Sequence, residues 1–244
     1  MSVNVVVIAN LYRICLVIAL AIVIAGGTVN AQNADAKLIS SPAFILSSEA
    51  VTAGIDGNVK VSLTIKKDGT VKSVQIVAGP AWPCGTSPEK ELEDVRKAIK
   101  GNVLAAKFQP VMKDGKTKEV DVVMTFTIGE AYRKLQRERE RQEAIAAGRP
   151  VPSIIKGGVL NGRALSLPKP PYPAEAKAQR ASGSASIEVL IDESGKVIQA
   201  GAVSGWHVFQ RESRLAACAS RFSPTLLEGK PVKVSGVITY NFGA

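Results

Sequence analysis

The chain repeats itself at the length of a small domain, and that repetition limits the folds open to it. Gly57-Asn-Val-Lys-Val-Ser-Leu-Thr-Ile-Lys-Lys-Asp-Gly69-Thr-Val71 recurs as Gly183-Ser-Ala-Ser-Ile-Glu-Val-Leu-Ile-Asp-Glu-Ser-Gly195-Lys-Val197, at an offset of 126 (183 − 57). Phe108-Gln-Pro110 with Gly115-Lys116 recurs as Phe222-Ser-Pro224 with Gly229-Lys230, at an offset of 114 (222 − 108). A period this long means two similar small domains, neither a solenoid nor one large core. The difference between the offsets leaves a twelve-residue indel between the two blocks, expected in the loop and helix start of the first copy and not in its sheet.

Each copy begins with strict alternation. Val59, Val61, Leu63 and Ile65 alternate with Lys60, Ser62, Thr64 and Lys66, as do Ala185, Ile187, Val189 and Ile191 with their polar neighbours. That period gives a strand with one buried face. Asp68-Gly69 and Ser194-Gly195 supply tight turns, and Val71 to Ala78 and Val197 to Ser204 return as second strands. Leu92, Val95, Ile99 and Val103 then form one apolar helix stripe, with Ser87-Pro88 expected to cap its start; Leu215 to Phe222 ends a shorter helix in the second copy. The last strands place Val120, Val122, Met124, Phe126 and Ile128, or Val234, Gly236, Ile238, Tyr240 and Phe242, on one face. Phe108 with Pro110, and Phe222 with Pro224, read as anchors of helix end to sheet, with Tyr240 and Phe242 as core anchors. The fold class is therefore α+β: two tandem small domains, each a three-stranded antiparallel sheet with helices on one face.

Between the copies, the alternating charges of 130–147 predict a solvated helix spanning roughly 27 Å at about 1.5 Å per residue. Asn161-Gly162 predicts a small hairpin leading into the second domain. The boundaries are 40–129 for the first domain, 130–156 for the charged helical linker and 157–244 for the second. Ahead of them, Ile14 to Ala25 is an apolar run of twelve residues, shorter than the roughly 20 needed to cross a bilayer, and Val29-Asn30-Ala31 offers small residues for cleavage. Residues 1–31 read as a signal peptide, or as an N-terminal anchor if uncleaved, and both readings put the rest in the periplasm or cell envelope. Such a compartment permits a disulfide between Cys84 and Cys218; two separate thiols is the other reading.

Pro170-Pro171-Tyr172-Pro173, an Ala-rich helix, Gly183, the alternating strand, the glycine hairpin, a helix closing on Phe222-Ser-Pro224, then Gly229-Lys-Pro-Val232 and a strand ending Tyr240-Asn-Phe242 follow in order. This pattern resembles the TonB C-terminal domain family over 157–244. Residues 43–129 are similar to a divergent second copy that has lost the Tyr-Pro, with Leu46-Ser47 in its place. The resemblance implies a protein partner: the TonB-box segment of an outer-membrane receptor, captured as an added strand during transmembrane transport. The edge it implies is Val232 to Phe242, with Lys233, Ser235, Val237, Thr239 and Asn241 outward and the Tyr172-Pro173 loop near one end. On this reading the second copy recognises and the first supports it. The alternative is a structural scaffold, or a homodimer through the same sheet edges.

Departures from the family pattern bear on energy coupling. Lys169-Pro170-Pro171 precedes the Tyr-Pro, no long Pro-rich spacer is present, and the chain's one histidine, His207, is far from the apolar segment. No other chemistry gathers. His207 lacks a nucleophile and acid at telling positions, and no His/Cys/acid cluster has zinc-like spacing. The net charge of +10 comes without a base-reading motif or aromatic-laced basic face, which argues against nucleic acid as a partner. The sequence reads as non-enzymatic, with no metal and no cofactor expected.

Overall fold

The computed structural model describes residues 29–30, 35–42, 44–149, 151 and 153–243. The expected signal peptide or anchor at 1–31 lies outside these residues except for Val29 and Asn30. No helix among the described residues is long and apolar enough to cross a membrane.

The first repeat runs α1 (Ser48–Thr52), β1 (Gly57–Ile65), β2 (Val71–Ala78), β3 (Ala81–Pro83), α2 (Glu89–Leu104) and β4 (Val120–Ile128). After α3 (Glu130–Ala146), the second part runs β5 (Ile154–Val159), α4 (Ala174–Ala178), β6 (Gly183–Ile191), β7 (Val197–Gly205), α5 (His207–Ala219) and β8 (Lys230–Phe242). The first sheet has the order β4-β1-β2, all antiparallel. Its alternating residues Val59, Val61, Leu63 and Ile65 are buried against Leu92, Val95, Ile99 and Val103 of α2. The second repeat builds the same antiparallel trio, β8-β6-β7, beneath α5. The fold is α+β, with a three-stranded antiparallel sheet and covering helix in each repeat.

The two hairpin glycines explain part of the repeated sequence. Gly69 and Gly195 have φ of +83° and +86°, and a Cβ on either would lie about 2 Å from a backbone oxygen, 2.0 Å from that of Phe108 and 1.9 Å from that of Phe222. In each copy the Phe N–H donates to the glycine carbonyl, at 2.8 and 2.9 Å. Phe108 and Phe222 therefore lie just past the helices, in two-residue strands (Lys107–Phe108 and Arg221–Phe222) locked onto the hairpin turn.

The structure corrects several expectations. The indel adds no strand to the first sheet but one to the second: its residues form β3, which stays tied to its own repeat by the Ala81–Asp56 backbone bonds and pairs antiparallel with β7 of the other. The second sheet accordingly has the path β5-β8-β6-β7-β3. Ser87 makes no side-chain cap; Pro88 holds the cap position of α2. Asn161-Gly162 forms a 3₁₀ turn (Asn161–Arg163) because the Asn161 side chain is engaged elsewhere. The helix α3 is no free-standing spacer, since Arg133 pairs with Asp56 at 3.3 Å and Glu140 with Lys233 at 3.3 Å, which holds it against both repeats.

Candidate partner-binding surface

A sheet edge offers unpaired backbone donors and acceptors, so edges are where an extended partner adds. On the outer edge of β8 the expected opening is filled. β5 pairs with it in parallel register, Ile154 opposite Lys233 through Val159 opposite Val237. The Lys233 N–H donates to the Ser153 carbonyl (3.1 Å), and the Leu160 N–H to the Val237 carbonyl (2.9 Å). Beyond the end of β5, the Asn161 side chain stands in for a strand. Its Oδ1 accepts from the Thr239 N–H (2.9 Å) and its Nδ2 donates to the Thr239 carbonyl (2.7 Å). The outward residues Lys233, Ser235, Val237 and Thr239 are thus not free; Asn241 stands exposed past the clasp, and Val232 is buried at the strand start. The physical reason is local: Gly157 and Gly236 let β5 lie close, for a Cβ on Gly157 would meet the Val234 side chain at 2.7 Å and one on Gly236 the Gly158 carbonyl oxygen at 2.8 Å.

The matching edge in the first repeat differs. β4 corresponds to β8 at the 114 offset, so Asp121, Val123, Thr125 and Thr127 hold the places of Ser235, Val237, Thr239 and Asn241. β4 pairs with β1 across all nine residues, and among the described residues no strand pairs with its other side. Val123 is 48% exposed there.

The Tyr172-Pro173 motif packs inward. The Tyr172 hydroxyl donates to the Ala181 carbonyl, and its ring meets Phe209 and Phe242 edge-on, each at 6.1 Å. Phe209 and Phe242 stack at 4.3 Å. Pro173 precedes α4, whereas in the first repeat Ser47 takes that place and its side chain accepts from the Ala50 N–H to cap α1. The lost Tyr-Pro is thus replaced by an ordinary polar cap.

The repeats are joined through the inserted segment. Cys84 and Cys218 form a disulfide, Cα to Cα 5.5 Å, across 134 residues of sequence. Arg214 of α5, 5% exposed, donates from Nη2 to the carbonyls of Trp82 (2.9 Å) and Pro83 (3.0 Å), with its guanidinium 3.6 Å over the Trp82 ring. Asp56 exchanges backbone bonds with Ala81 and accepts from Gln199 of the second repeat at 2.7 Å. Burial pushes its carboxyl up to about 6, against the opposing pull of Arg133 and the Gln199 hydrogen bond. Sequence reasoning passed over Asp56, Trp82 and Arg214; the indel itself, carrying a Trp and a Cys, was the available signal.

His207 begins α5, exposed and 3.9 Å from Glu175, and no group of three metal-ligating side chains is found among the described residues. A family model described as "Gram-negative bacterial TonB protein C-terminal" matches residues 45–128 and 168–243, one segment on each repeat. The chain belongs to the TonB C-terminal family. The solved structures similar to this TonB-family chain include the solution NMR structure of the Pseudomonas aeruginosa TonB CTD. It is 24% identical over 42% of this chain and 91% of that one, with a TM-score of 0.27. No curated protein matches.

Proposed function

We propose that this TonB-family protein is an exported module of the cell envelope that engages an outer-membrane transport receptor by adding an extended receptor segment to a sheet edge. Protein partnership with outer-membrane receptors goes with the family; the edge is argued from the fold. One observation supports it above the rest: the outer edge of β8 already takes an extended segment, β5, in regular register. The equivalent edge of β4 pairs with no strand among the described residues and is the one offered to a partner, with Val123 and Thr125 at its centre. A second reading has the receptor segment replace β5 on β8, as the family pattern around Tyr172 implies. It is favoured by the break in the β5 register between Lys156 and Gly158.

The two readings separate by proline substitution, which deletes an outward N–H. With a receptor-derived extended peptide titrated into isotope-labelled protein, the amides of Val120–Ile128 are expected to shift. Val123→Pro is expected to abolish the shifts with the fold intact, and Val237→Pro to leave them. Loss on Val237→Pro alone moves the site to β8. Unmoved amides on both strands at millimolar peptide overturn receptor capture, and a concentration-dependent dimer by sedimentation would then establish the scaffold alternative.

A further inference from the structure

At the opposite end of the first sheet from β4, a cleft of about 520 Å³ opens where β2 and α2 meet α5 of the second repeat. Its size falls in the ordinary range of ligand sites, about 300–1,000 Å³. Four permanent cations line it, Arg96 and Lys100 one turn apart on α2, Arg211 and Arg214 on α5, against a single carboxylate, Glu89. Arg211 has Glu212 at 2.7 Å. Arg96, Lys100 and Arg214 have no carboxylate within 4.0 Å among the described residues.

Arg214 is the telling member. It is buried, and its Nε and Nη2 are spent on the carbonyls of Ala200, Trp82 and Pro83. Its Nη1 takes no hydrogen bond among the described residues, although the side chain lines the cleft. Burial draws its pKa down to about 10, so it stays charged at neutral pH. Its Nη1 is not sealed from solvent, so a charged donor without a carboxylate partner faces the cleft, where an anion would find it. Holding the inserted arm explains Nη2 and the Ala200 bond explains Nε, which leaves Arg96 and Lys100 unexplained.

We propose that this inter-repeat cleft binds an acidic peptide segment, its carboxylates on Arg96, Lys100 and Arg214 and its apolar side chains on Ile76 and Leu215. Two features favour a peptide over inorganic or esterified phosphate. Apolar side chains, Ile76 and the exposed Leu215 among them, share the lining with the cations, and a bare oxyanion would leave them uncovered. Gln210 spends its Nε2 on the Val77 and Gly205 carbonyls, at 2.6 and 2.8 Å, and so retains an Oε1 acceptor, which a peptide N–H can meet and a fully ionised phosphate ester cannot. The inference does not depend on which sheet edge takes a receptor segment.

The test titrates the full, oxidised chain with the blocked peptide Asp-Leu-Glu-Leu, with Lys-Leu-Lys-Leu and with inorganic phosphate, reading the amides of Gln75, Arg96 and Gln210. The acidic peptide is expected to shift them, and the exposed double variant Arg96→Glu/Lys100→Glu to weaken it about tenfold while the fold and disulfide persist. Binding no tighter than that of the basic peptide, or unchanged in the double variant, overturns the proposal. Phosphate that shifts these amides as strongly as the acidic peptide overturns the peptide assignment.

Discussion

The two repeats put the same strand to opposite uses. In the second, β8 has neighbours on both sides, with β5 and the Asn161 amide covering its outer edge as far as Thr239. In the first, β4 pairs only with β1 among the described residues, and the short segment Val29–Asn30 approaches it without pairing. The copy that keeps the Tyr-Pro motif is therefore the one whose outer edge carries an added strand, and in the drifted copy no added strand pairs with that edge among the described residues. Motif retention and edge availability have separated: Tyr172 serves the aromatic cluster of Phe209 and Phe242, whereas the β8 edge is closed by the strand that the chain forms after α3. An edge closed by the chain's own backbone also resists unintended pairing, which an open one does not.

The sharpest test of how alike the repeats are is the pair of turn glycines. Gly69→Ala and Gly195→Ala should each cost about 3–5 kcal/mol, since both residues need positive φ and both face a Phe carbonyl about 2 Å from the new Cβ. Urea unfolding checks this, and a mild loss at one site alone would show that the two turns are locked differently. Next in size is the joint between the repeats. Cys84→Ser/Cys218→Ser should lower stability by about 2–5 kcal/mol, because the bridge closes a loop of more than a hundred residues. A denaturation curve that splits into two transitions in this variant would mean that the repeats differ in stability once unstapled.

A third difference is titratable. Asp56 sits where the second repeat, at the 126 offset, has Ser182. Its carboxyl, raised to about 6 by burial, holds a proton more tightly when folded than when unfolded. Stability from this group therefore falls as pH rises from about 4 to about 6, by up to about 3 kcal/mol. Asp56→Asn should flatten that slope, read as urea midpoints across the window, whereas Ser182→Ala should leave it unchanged. The smallest effect addresses the closed edge itself. Asn161→Ala unpairs the Thr239 N–H and carbonyl and should cost about 1–2 kcal/mol, with faster hydrogen exchange at Thr239 but not at Thr125.

Much of this architecture was legible in the sequence, for reasons that are themselves local. Alternation at Val59 to Ile65 and Ala185 to Ile191 has a period that only a half-buried strand satisfies, and the paired glycines mark turns that no other residue tolerates. What escaped was every feature set by long-range pairing. Nothing in Ala81-Trp82-Pro83 says that its partner is Gln199 to Gly201, and nothing in Ile154 to Val159 distinguishes linker from strand, because a short apolar run carries no address. Asn161-Gly162 has the composition of a hairpin turn, and only the nearness of Thr239 decides that its side chain serves another strand. The outward residues of β8 were read from alternation, which identifies a face and is silent on whether the neighbouring lane is occupied.

The inserted arm has a mechanical consequence. β3 bridges the first repeat, through Ala81 and Asp56, to β7 of the second, and Cys84, at its end, is bonded to α5. Tension applied to a segment held by β4 would have two covalent routes into the second repeat, the backbone of α3 and, through the first sheet and the arm, the Cys84–Cys218 bond. The two halves are thus coupled in parallel, and the disulfide is a link that cannot be peeled open strand by strand. A pull on one repeat becomes a load on both.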